Sequence, residues 1–192
     1  MVPLENIFLT LRLMMFKNVL FLWLLILVSC NKEAEQTSSS SSHPNNSELK
    51  KELPQFKLPI SILKTASGNN FKAYLAVTNS EQVLGLSEMP EDQWGNDDGM
   101  LFWYDEDDAR AFWMPDTYFN LDIIFLDKDL KVVGIDRNVP HYIGRNHPER
   151  IPRTNTYTCR YVLELKSSSA MAKEIQIGDT LTWVSPPPWK IK

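Results

Sequence analysis

Residues 19 to 28 read Val-Leu-Phe-Leu-Trp-Leu-Leu-Ile-Leu-Val, an unbroken apolar run. As a helix this run is too short to cross a bilayer core of about 30 Å. It has the length of the apolar centre of a signal peptide, and Arg12 and Lys17 supply a positive flank ahead of it. The run therefore divides the chain into an address and a part that can fold. Met14 and Met15 each offer a start that gives a signal of conventional size. Beyond it, Thr37 and Ser38 to Ser42 form a hydroxyl tract, followed by His43-Pro44-Asn45-Asn46 and a short charged stretch. Such a segment buries too little apolar surface to offset the entropy of ordering it. It reads as a tether, and residues 31–56 as a random coil reach roughly 28 Å.

The signal ends Leu27-Val28-Ser29-Cys30, which resembles a bacterial lipobox. The resemblance implies that the Cys30 thiol receives a diacylglycerol and, after cleavage, becomes the lipidated first residue, so that the membrane is a partner. Asn31 stands where an aspartate would favour the inner membrane, which leans the expectation towards an outer-membrane envelope lipoprotein. Asn31 to Glu35 also loosely resembles the acidic surface-export signals of some gliding bacteria. The expected layout is a signal peptide over 1–29, a lipidated cysteine and tether over 30–56, one domain over 57–185 and a Pro-rich tail over 186–192.

A domain of about 130 residues suits a single core. The formal net charge of −4 argues against a general nucleic-acid binder, which needs a basic face to displace counterions. It is unevenly placed. Between Glu91 and Asp108 lie eight carboxylates and no base, while Arg137, Arg145, Arg150 and Arg153 stand with His141 and His147 against Glu149. These stretches either meet in the fold or give it two poles. Two cysteines, Cys30 and Cys159, make no disulfide framework, and lipid on Cys30 leaves Cys159 without a partner.

Strand signals outnumber helix signals. Ile60 to Thr65 and Phe71 to Thr78 flank a Gly/Asn turn and read as a hairpin. Thr78-Asn79-Ser80-Glu81 has capping-box spacing and opens a short helix to about Ser87. Met100 to Tyr104 has the continuous apolarity of a strand buried on both faces. Asp105 to Ala109 reads as a turn and Arg110 to Met114 as a further strand. Leu121 to Leu126 and Lys131 to Arg137 form a second hairpin. The stretch from Arg137 to Thr158 is a long loop of the kind that usually carries function. Arg160 to Lys166 is a strand, Ser167 to Gln176 a serine-capped helix and Thr180 to Val184 a last strand. The pattern predicts an α+β fold: a compact, strongly curved, mainly antiparallel sheet of about seven strands with two short helices.

Several short blocks resemble domain-of-unknown-function family 192. They are Gly99-Met100-Leu101-Phe102, Ala111-Phe112-Trp113-Met114 with Thr117, Leu121-Asp122 with Ile124-Phe125, Asn138-Val139-Pro140, Tyr161-Val162-Leu163-Glu164 and Gly178-Asp179, with Gly85-Leu86 closing the early helix. The resemblance implies a compact α+β fold with a curved sheet, mostly in exported bacterial and archaeal proteins, and brings no established activity. Asn120 stands where many members carry proline, and the long loop has His141, Tyr142 and His147 where relatives often carry cysteines.

The chemistry must come from the residues. Nine aromatic residues fall between Trp94 and Phe125. Phe102, Phe112 and Phe125 suit a core, whereas an exposed Trp113 suits stacking on a sugar or a cation. Asp122 shares a strand face with Ile124 and Leu126, and a carboxylate there must be paired or hydrogen-bonded. Glu164, between Leu163 and Leu165, is in a similar position. As a pair, Asp122 and Glu164 suggest general acid/base hydrolysis of a glycoside. Singly, Asp122 pins a loop by accepting amides near Thr117, and Glu164 pairs with Arg110 or Arg137.

Metal ligation is not supported, because His141, His147 and Cys159 match no closed zinc spacing and Asp105 to Asp108 lacks the alternation of a calcium loop. No glycine-flanked serine elbow or phosphate loop occurs, so no cofactor is implied. The leading expectation is a tethered, non-enzymatic binding domain for a small polar or carbohydrate-like ligand. Arg110, Trp113, Thr117, Asp122, Arg137 and Tyr142 would line it, with the Arg/His loop as lid or wall. The alternatives are an envelope hydrolase using Asp122 and Glu164, and an assembly lipoprotein that binds another protein through the 137–153 loop.

Overall fold

A computed structural model describes residues 57–187 and 189. The signal, Cys30 and the tether lie outside the described residues. Seven strands run in chain order as β1 (Ile60–Lys64), β2 (Asn70–Ala76), β3 (Gly99–Arg110), β4 (Leu121–Leu126), β5 (Val132–Val139), β6 (Tyr157–Lys166) and β7 (Thr182–Ser185). Two short helices join them, α1 (Asn79–Leu84) and α2 (Ala170–Glu174). The strands form one sheet in the order β5-β4-β6-β3-β2-β1-β7.

The sheet is mixed, because β2 and β3 run parallel while the other pairs are antiparallel. A parallel pair needs a crossover, and the segment containing α1 provides it. The capping box read from Thr78 and Glu81 is formed: Glu81 Oε2 accepts from the Thr78 amide at 2.7 Å, and the Glu81 amide donates to Thr78 Oγ1 at 3.3 Å. With helices this short the fold is mainly sheet, so the α+β class holds only roughly. The curvature is strong. The segment before β7 bonds to the start of β5, with the Val132 amide donating to Asp179 O and the Leu181 amide to Leu130 O. Opposite edges of the sheet thus approach at one end and give a half-barrel.

Both faces of the sheet are covered. Cross-strand partners share a face, so Met100, Phe102, Ile123, Phe125 and Val162 lie on one, packed with Leu86, Met89, Trp94, Met114 and Ile151. Leu101, Ile124, Leu163 and Leu165 lie on the other, packed with Ala172, Ile175 and Leu181. The fully buried β4 follows from this double cover.

Two sequence readings need correction. Asp105 to Ala109 is not a turn: β3 continues to Arg110. Its register against β6 shifts between Trp103, opposite Tyr161, and Asp108, opposite Cys159. The extra residues bulge outward, which leaves the acidic side chains in water while the ladder resumes beyond them. Arg110 to Met114 is not a strand either. Beyond β3 the chain is held to the long loop by single contacts, with the Phe112 amide donating to Thr154 Oγ1 at 2.8 Å and the Met114 amide to Pro152 O at 3.1 Å. Pro115 and Pro152 lack the N–H groups that a ladder there would require.

Candidate functional site

A cavity of about 320 Å³ opens on the first face of the sheet, between α1, the 111–117 segment and the strands. This is near the lower end of the range for small-molecule sites, about 300–1,000 Å³. One wall is α1 and its C-terminal turn, with Asn79, Gln82, Val83 and Ser87. The helix can approach because it ends at Gly85, whose φ is +50°, and a Cβ there would meet the Phe102 ring at 3.1 Å. The opposite wall carries Phe112, Trp113, Pro115 and Thr117. Phe102, Tyr104, Leu121 and Glu164 line it from the sheet. Phe102 and Phe112 meet edge to face at 4.7 Å.

Glu164 is the unusual member. Its register sets it opposite Met100 of β3 and Ile123 of β4, so its carboxyl projects from an apolar face. It is 5% exposed, and Oε2 has no hydrogen-bond partner among the described residues. Burial pushes its pKa up from 4.5 to about 8, so the folded protein holds it protonated at neutral pH. Tyr104 is likewise pushed up to about 12, by burial first, with Arg110 opposing and the Glu164 and Cys159 charges adding to the rise. Glu164 and Tyr104 are the ionisable side chains of the lining.

Of the residues chosen from the sequence, Trp113 and Thr117 line the cavity. Trp113 is 43% exposed at the rim, with the Arg153 guanidinium 5.1 Å from its ring centroid. Thr117 is buried, and its amide donates to Tyr142 O at 3.1 Å. Tyr142 stands behind that wall and does not line the cavity. Arg110 lies outside, stacked on Tyr104 at 3.6 Å and donating to Glu106 O. The long loop is a buttress rather than a lid: Asp116 accepts from the Gly144 amide and pairs with Arg145, and Ile151 is buried.

Asp122 and Arg137 are on the other face. Asp122 accepts from Arg137 Nη1 and from the Asn138 amide, each at 2.7 Å, and Arg137 also donates to the carbonyls of Ala172 and Ile175. The cross-strand partner of Asp122 is Leu165, whereas that of Ile123 is Glu164. Asp122 and Glu164 therefore project from opposite sides of the sheet, which removes them as a hydrolytic pair. Glu164 pairs with neither Arg110 nor Arg137, because Arg110 is held on Tyr104 and Arg137 on Asp122 and α2. Nor do the acidic and basic stretches meet: Asp107 pairs with Arg160, and Asp97 accepts from Ser169 and the Ala170 amide at the start of α2.

Tyr104, Ser87 and Gln82 were not anticipated as lining. The glycine after α1 was their one visible signal, since it marks where a helix can close on a ring. Cys159 is a buried core thiol, pushed up to about 11 chiefly by that burial.

The family DUF192, described as an uncharacterised ACR, matches residues 62–183. Two crystal structures are similar. One, described as a proposed transcription regulator from Sinorhizobium meliloti 1021, is 30% identical over 66% of this chain and 95% of its own, with a TM-score of 0.54. The other, a protein of unknown function from Novosphingobium aromaticivorans DSM 12444, is 28% identical over 81% of this chain and 100% of its own, also with a TM-score of 0.54. A search of curated proteins gave no match.

Proposed function

The chain belongs to the DUF192 family, and from that premise we propose that it is a non-enzymatic binding domain for a small polar ligand, held at the bacterial envelope by lipid on Cys30. The observation that carries the binding reading is Glu164, a buried carboxyl in the cavity lining whose Oε2 has no partner among the described residues. A buried polar atom without a partner costs about 1–3 kcal/mol, and a ligand that ties down this carboxyl would remove part of that cost. The Trp113 ring at the rim and the polar groups of Asn79 and Gln82 in the α1 wall suit a ligand with both flat and polar surfaces. The lining offers one carboxyl and no histidine, cysteine or lysine, which favours binding over acid/base or nucleophilic chemistry.

The test is thermal shift of the full chain in detergent against monosaccharides, peptidoglycan fragments, polyols and small amines. Stabilisation that Glu164→Gln and Trp113→Ala each weaken supports the reading. No stabilisation by any class, with both variants behaving as wild type in cells, defeats it.

A further inference from the structure

Resting on that binding reading, we infer that the cavity takes an organic ammonium bearing at least one N–H, with the nitrogen donating to the Glu164 carboxyl and the substituents lying among Phe102, Tyr104, Phe112 and Trp113.

Three observations lead there. Glu164 brings a carboxyl into the lining with Oε2 unpartnered among the described residues; protonated, it both donates and accepts, and only a cationic donor favours its ionised, accepting form. Four of the residues around it are aromatic, and ring faces are the negative ends of their quadrupoles. Finally, no cationic side chain of the protein enters the lining. Lys166, two residues along β6 on the same face, is buried, but its Nζ donates to the carbonyls of Glu91 and Trp94 at 2.8 and 2.9 Å. Arg110 is not in the lining; it is stacked on Tyr104 and donates to Glu106 O. Glu81 of α1 faces its own helix cap. Arg110 and Arg153 already lie on the Tyr104 and Trp113 rings, so Phe102 and Phe112 are the faces left to a ligand, and a lining that sets a carboxyl beside them with no cationic side chain of its own has the electrostatic shape of an ammonium site. A sugar hydroxyl also donates, but it carries no charge to set against the rings.

The charge balance gives this chemistry a signature. The Glu164 carboxyl is protonated at pH 7, held so by burial, and its charge when ionised is felt by Tyr104. When an alkylammonium enters, the carboxyl ionises to meet it, and its proton passes to the solvent. A neutral ligand leaves the proton where it is.

The experiment is calorimetric titration of the full chain in detergent with isobutylamine and ethanolamine. The matched neutral probes are isobutanol, ethylene glycol and N-acetylglucosamine. Each titration is run in two buffers of different ionisation heat. At pH 7 each amine is expected to bind about ten-fold or more tightly than its alcohol, with release of close to one proton. The release should vanish above about pH 9, where the carboxyl is already ionised. Glu164→Gln, which keeps the shape of the protonated acid, should abolish both the preference and the release while its melting temperature is retained. Neutral probes binding as well as the amines, with no proton released, would overturn the ammonium assignment and leave the binding reading standing. Failure of both classes to bind would overturn both.

Discussion

Glu164 sets the pH behaviour of the domain. Its folded pKa, about 8, lies above the ordinary 4.5, so between those values the folded chain holds a proton that the unfolded chain has lost. The stabilisation is complete below the ordinary value and is lost as pH rises to about 8, with a slope of at most about 1.4 kcal/mol per pH unit. Glu164→Gln removes the ionisable group but keeps its volume. Melting curves of the wild type should therefore fall between pH 5 and 8 relative to the variant, and parallel curves over that window would show that the carboxyl ionises freely in the fold. The position of this residue was legible in the sequence, because a carboxylate between leucines in a strand is conspicuous. Its lack of a partner was not. Arg110 and Arg137 were both plausible neighbours by count of charges, and only the register of β6 against β3 and β4 shows which face Glu164 occupies.

At the level of elements, Asp122 joins three of them. It accepts from Arg137 and Asn138 of β5 across from its own strand β4, and Arg137 carries the connection on to the carbonyls at the end of α2. Substituting asparagine keeps the size, removes the charge and sets an amide N–H₂ among donors. The expected cost is about 2–3 kcal/mol, below the full value for a buried pair because the Arg137 side chain is 37% exposed. That corresponds to a melting temperature lower by roughly 5–10 °C. A variant melting within a degree or two of wild type would show that this clamp does not hold β4, β5 and α2 together. Most elements were legible, since the hairpins, the capping box and the serine cap of α2 are local in cause. The misreadings share a physical origin. A run of four acidic residues looks like a turn when taken alone, but a bulge lets a strand pass through it with its carboxylates in water. Ala111 to Met114 alternates like a strand, yet the prolines at 115 and 152 leave it without a ladder.

For the whole molecule, the sequence pattern gave the half-barrel as a curved sheet but not its parallel β2–β3 pair, because that depends on where a crossover returns. The same crossover puts α1 over the first face and so makes the cavity, which is why the aromatic cluster was visible in the sequence and the cavity was not. The location proposed for the domain rests on Cys30, outside the described residues. A single lipid chain gives only marginal membrane binding, at about 0.8 kcal/mol per buried CH₂, so the proposed anchor needs both chains of the diacylglycerol expected on Cys30. Cys30→Ser leaves residues 57–187 unchanged and removes the only thiol ahead of the domain. Cells expressing it are expected to show the protein in the soluble or unprocessed fraction, without palmitate incorporation, whereas the wild type sediments with membranes and carries the label. If the serine variant still takes up palmitate and sediments with membranes, the chain is anchored by something other than Cys30.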